Sequence, residues 1–89
     1  MNLTTQNKAI RFALSNLYRA LSDATDTGLR SDPVFQPGVQ AALRIYLDRL
    51  YAALDSEPVD PANVAADLRF RTLALTAASH AEAILAVGV

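Results

Sequence analysis

The sequence predicts an all-α protein, an antiparallel three-helix bundle with a long loop between helices 1 and 2. Three observations carry that prediction. Apolar residues recur at three- and four-residue spacing in three separate stretches. Prolines and glycines fall between those stretches, from Gly28 to Gly38 and from Pro58 to Pro61, or close the last of them at Gly88. The final third, Asp60 to Val89, reads as one helix roughly 40 Å long at about 1.5 Å of rise per residue, enough to run the height of a small domain. Everything upstream has to pack against it.

A chain of 89 residues makes one domain, residues 1–89. At this size folding buries only about 60–65% of the surface that the unfolded chain exposes. Cysteine is absent, which removes disulfides and thiolate metal sites as stabilisers. Hydrophobic packing has to suffice, helped by any partner subunit. With 52% hydrophobic and 19% charged residues and a net charge of −1, the chain is too apolar for disorder and too balanced for the basic footprint of a general nucleic-acid binder. Arginines and aspartates interrupt every apolar run before it reaches the ~20 residues of a membrane span. The polar start, Met1 to Lys8, lacks the build of a signal peptide, so the expected location is the cytoplasm.

The first helix is expected over Leu3 to Ala24, with Ile10, Leu14, Leu17, Leu21 and Ala24 on one buried stripe. Lys8, Arg11, Ser15, Arg19, Ser22 and Asp26 fall on the other side, and Phe12 and Tyr18 flank the stripe or widen it. Asp23 to Gly28 ends it, because Asp and Thr side chains compete for backbone hydrogen bonds and glycine takes the left-handed conformation of a helix stop. Leu29 to Gly38 then forms the long connection, where Asp32-Pro33 and Gln36-Pro37 disfavour helix before each proline. Val34 and Phe35 are the apolar exceptions in it. They read as a plug for one end of the bundle or as a contact for a partner.

The second helix is expected over Val39 to Leu54, with Val39, Leu43, Tyr46, Leu50 and Ala53 inside and Ile45, Leu47, Tyr51 and Leu54 broadening the stripe. Arg44 and Asp48, four apart, can pair across one turn for about 0.3–0.5 kcal/mol. Asp55 to Pro61 breaks the helix, and Asp60-Pro61 starts the third: aspartate accepts from free first-turn amides, and proline at the first position has no amide to leave unpaired. The third helix places Ala66, Phe70, Leu73, Ala77, His80, Ile84 and Val87 on one stripe. Val64, Leu68 and Leu75 form a second apolar strip nearly opposite, bordered by Asp67, Arg71 and Glu82. A helix apolar on two sides sits in the middle of its bundle or gives one face to another chain. Three helices cannot readily surround one of their own, which favours a partner surface or self-association.

Catalytic chemistry finds little support in the residues. Gly28, Gly38 and Gly88 stand singly, so no glycine-rich phosphate loop can form. His80 is the sole histidine, and His80-Ala-Glu82 does not put two metal ligands on one helical face. Ser79-His80 shares a dipeptide with histidine phosphotransfer proteins, but alanine follows the histidine and Ala83 replaces their lysine. Asp55-Ser56 resembles the attachment site of acyl carrier proteins, yet the serine closes a helix instead of opening one and Glu57-Pro58 follows it. No cofactor and no metal are expected, and no enzymatic activity. For nucleic acid the strongest local feature is Arg69-Phe70-Arg71 with Arg44 and Arg49, whose simpler reading is arginine stems laid over apolar neighbours.

The expected function is that of a small protein-binding module that occludes a surface on a larger partner. Val64, Leu68, Arg71 and Leu75, or the Val34-Phe35 loop, are the expected contacts, with a homodimer through helix 3 as a further expectation. Phage- and mobile-element-encoded inhibitors of host systems, anti-CRISPR proteins among them, share this profile of small size, no motif and no cofactor. An export chaperone of the secretion or flagellin type, receiving an amphipathic helix in a groove, is the first alternative. A DNA-binding accessory protein is the second.

Overall fold

The structure is a computed structural model that describes residues 8–26, 34 and 36–87. Its regular structure among those residues is entirely α-helical: α1 spans Lys8–Thr25, α2 Gln36–Ser56 and α3 Val64–Val87. The expected start of the first helix at Leu3, the glycine stops at Gly28 and Gly88, and Phe35 lie outside the described residues. No helix is long and apolar enough to cross a membrane among the described residues.

The stripe expected for the first helix is the one that is buried: Ile10, Leu14, Leu17, Leu21 and Ala24, joined by Ala13 and Ala20. Thr25 closes α1 by donating its hydroxyl to the carbonyls of Leu21 at 3.0 Å and Ser22 at 3.1 Å. α2 begins three residues earlier than the spacing suggested, taking Gln36, Pro37 and Gly38 into its first turn. Proline is tolerated there because first-turn amides have no helical partner. Its buried residues are Val39, Leu43, Leu47, Leu50 and Ala53. Leu47 therefore replaces Tyr46 on the central stripe, and Tyr46 is half-buried with Arg49 stacked 5.6 Å above its ring. The pair expected between Arg44 and Asp48 is not formed; both side chains are exposed.

α1 and α2 run antiparallel, since one groove is lined by Ala9 with Glu57 at one end and by Asn16 with Arg49 at the other. α1 and α3 run in the same direction: Arg71, in the first half of α3, reaches the carbonyls of Leu54 and Glu57 at the end of α2, the end that lines a groove with the first half of α1, while Leu73 to His80 line a groove with Tyr18 to Thr25. That is the arrangement of an antiparallel three-helix bundle.

The third helix departs from expectation. Its buried residues are Asp67, Ala74, Ala77, Ala78 and Ala81. Of the expected stripe only Ala77 is fully inside; Ala66, Phe70 and Ile84 are half-buried, while Leu73, His80 and Val87 are exposed. The helix is turned by on the order of 100°, one residue's rotation, from the stripe that the large side chains suggested. On the inward face Ala74, Ala77, Ala78 and Ala81 join the leucines of α1 and α2 in one buried cluster, and Arg71, bonded to the carbonyls of Leu54 and Glu57, holds the helix in that rotation. Replacing Ala78, which is fully buried, by leucine is therefore expected to destabilise the domain by about 1–3 kcal/mol through overpacking. Urea unfolding followed by circular dichroism measures it, and a neutral result would mean that this face is not in close contact.

Candidate functional site

The site begins from what α3 turns outward. Val64, Leu68 and Leu75 are each about half exposed, at 46%, 49% and 52%, so the second apolar strip lies on the surface as its spacing implied. Leu73, which the sequence placed inside, joins the outer surface at 50% exposed. Thr72 and Thr76 lie between these leucines, and each hydroxyl donates to the carbonyl four residues back, on Leu68 and Thr72, at 2.9 Å. A hydroxyl occupied in this way leaves its methyl group as the outward feature. The middle of the helix thus offers apolar surface even at its threonines. Val34 is exposed as well, at 79%, whereas Phe35 lies outside the described residues.

Arg71, expected beside these residues as a contact, has its side chain largely covered, 14% exposed. Its side chain is directed into the junction between α2 and α3 and pairs with Asp67 one turn earlier, Nε to Oδ2 at 2.9 Å. Nη1 donates to the carbonyl of Leu54 at 3.1 Å, and Nη2 donates to the carbonyls of Glu57 at 2.6 Å and Pro58 at 3.0 Å. The last carbonyls of a helix have no intrahelical donor, so this guanidinium caps α2 from α3. Asp67 in turn accepts from the Asp60 amide at 3.2 Å, and Asp60 closes the preceding turn by accepting from the Ala62 amide at 2.9 Å. Asp60-Pro61 does begin the entry into the last helix, but as an aspartate turn before Val64 rather than as the first helical residues. The sequence placed no carboxylate on a buried stripe; Asp67 is buried because its charge is paired across one turn.

Two open grooves accompany the apolar strip. Between α1 and α3 a groove of about 440 Å³ is lined by Tyr18, Leu21 and Ser22 on one side and Leu73, Thr76 and His80 on the other. A shallower hollow on α3 itself, lined by Leu68, Arg69, Thr72, Leu73 and Thr76, adjoins it through Leu73 and Thr76. A second groove of about 490 Å³ lies between α1 and α2, where Phe12, 72% exposed, stands beside Lys8 and Arg49. The sequence put Phe12 and Tyr18 at the edges of the first stripe. That position left open whether they widen the stripe or only flank it, and the structure leaves both exposed.

His80 is exposed at the mouth of the α1/α3 groove, on the helix surface rather than in the core. The described residues gather no group of three His, Cys, Asp or Glu able to hold a metal ion. Tyr51 stands near Glu82 across α2 and α3; partial desolvation first, and the carboxylate second, hold its phenol above the ordinary value of 10.0. The cationic cluster is dispersed: Arg71 is inside, Phe70 is half-buried, Arg49 lies over Tyr46, and Arg69 remains on the surface. The arrangement can hold an apolar surface by contact, and the charges gathered at the α2/α3 junction, Asp67 and Arg71, are engaged with each other and with the backbone. Comparison with known proteins finds no matching family model, no matching curated protein and no matching solved structure.

Proposed function

We propose that this chain is a non-enzymatic binding module that acts in the cytoplasm by covering a surface on a larger protein. The observation that carries this reading is the inverted use of α3, which packs alanines inward and turns Val64, Leu68, Leu73 and Leu75 toward solvent. A lone exposed leucine needs no explanation, but several on the outward half of one helix, Val64, Leu68 and Leu75 along one edge and Leu73 on the other, mark a contact surface. Covering the exposed half of one leucine is worth about 1 kcal/mol, taking roughly half of the 1.5–3 kcal/mol for full burial. Several together with tight packing supply the centre of a specific interface. A module of this kind fits the role of an inhibitor that occludes its target, as phage- and mobile-element-encoded inhibitors do.

The test substitutes Leu68→Glu and Leu75→Glu separately in the tagged chain. Each variant is expected to keep its helical circular dichroism and to lose association by about tenfold or more, since placing a carboxylate against an apolar partner costs well over 1.4 kcal/mol. Capture from native host lysate reads binding to a larger partner, and light scattering reads self-association through α3. Unfolding of either variant would place these leucines in the core and end the interface reading. Unchanged association would end it as well.

A further inference from the structure

The α1/α3 groove has a charge asymmetry that the apolar strip alone does not have. Its floor and walls near the middle are apolar, from Leu21 and Ala77 below to Tyr18 and Leu73 at the rim. Along α1, Arg11 lies seven residues before Tyr18, two turns earlier on the same face. Along α3, Arg69 lies four residues before Leu73, one turn earlier on the same face, and lines the adjoining hollow that shares Leu73 and Thr76 with the groove. Because α1 and α3 run in the same direction, both arginines stand toward the same end. Neither forms an ion pair among the described residues. Between them and the far end, the groove side of α1 carries Ser15, Ser22 and Thr25, and that of α3 carries Thr76 and His80, with no carboxylate among them. Asp26 follows only beyond Thr25, past the His80 end. In a chain of net charge −1, two exposed cations at one end of an apolar trough are a local excess.

We infer that this groove receives an amphipathic helix of a partner protein, one that inserts leucine-like side chains between Tyr18 and Leu73 and sets carboxylates against Arg11 and Arg69. The inference rests on the binding-module reading and names the chemistry of its partner. From Leu68 to His80 the trough runs about 18 Å, the length of roughly 12 residues of helix. Ridges of an apolar helix face fit a groove between two helices, so the guest becomes the fourth member of the bundle. The apolar walls favour a protein helix over a polynucleotide, whose contacts would call for a row of cations along the whole length.

The test is a selection from a display library of helices about 14 residues long, with leucines fixed at i, i+3 and i+7 and the flanking positions randomised among Glu, Gln and Lys. Selection against the intact chain is expected to enrich Glu at one end of the guest. The bound peptide, followed by fluorescence anisotropy, is expected to lose about fivefold or more in affinity against the Arg11→Glu, Arg69→Glu double variant, and to regain it when its Glu residues become Lys. Amide shifts should map to Tyr18, Ser22, Leu73 and Thr76. The inference is overturned if no peptide is selected, if the flanks show no preference for Glu, or if the shifts fall beside Phe12 in the other groove. Leu75 lies off this groove, which keeps the two readings separable. If the selection fails while Leu75→Glu still breaks association, only the groove assignment falls; if Leu75→Glu also changes nothing, the binding-module reading falls with it.

Discussion

Arg71→Ala is expected to lower the stability of this domain by about 3–5 kcal/mol, the cost of removing one partner from a buried ion pair. Two losses add to reach that range. The Asp67 carboxylate, with its side chain 1% exposed, would be left in the interior without its cation. The carbonyls of Leu54, Glu57 and Pro58 would lose the one side chain that donates to all three. For a domain whose total stability is on the order of 5–15 kcal/mol, this places the variant near the edge of folding. Arg71→Lys should recover little, because an ammonium on a longer flexible stem cannot reproduce a planar fork directed at one carboxylate and three carbonyls. Urea midpoints for both variants test the point. A loss under about 1 kcal/mol would mean that the pair behaves as an exposed one and that α2 is capped by solvent.

Leu43→Ala and Leu73→Ala are expected to differ by about 2–4 kcal/mol although the chemistry removed is the same. Leu43 is fully buried between the helices, so its truncation loses both transfer energy and packing and should cost about 2–5 kcal/mol. Leu73 is half exposed and should cost under about 1 kcal/mol. The pair tests the rotation of α3 directly. If Leu73→Ala proved as costly as Leu43→Ala, the helix would present the face that its large side chains suggested, and the outward apolar surface would lose a member. Thermal unfolding of the two variants side by side is sufficient to decide.

The contrast between α1 and α3 shows what spacing can and cannot carry. In α1 the large apolar residues lie on one side and the charged ones on the other, so Ile10, Leu14, Leu17 and Leu21 could be placed inside from their positions alone. In α3 apolar residues occupy most of the circumference. The bulky members then drew the stripe toward Phe70, Leu73 and Ile84, and the alanines that are in fact buried gave too weak a signal to compete. The same ambiguity made the outer strip of Val64, Leu68 and Leu75 readable as a second face, while Leu73, at the other edge of the exposed arc, was placed inside. The bonds that Arg71 makes were hidden for a different reason. Its partner Asp67 is four residues away and visible on a helical wheel, but its three carbonyls lie 13 to 17 residues upstream and come within reach only through the turn at Pro58 to Pro61.

Sequence alone determined the helical class, the approximate extents of the second and third helices, the inward face of the first, and the surplus of apolar surface on the last. Those are local properties, set by periodicity and by where proline and glycine interrupt it. The tertiary structure decided which face of α3 is inside, and that Arg71 closes the end of α2. These depend on how closely two backbones approach and on which residues a turn brings together, and a residue's own neighbours in the chain carry no record of either.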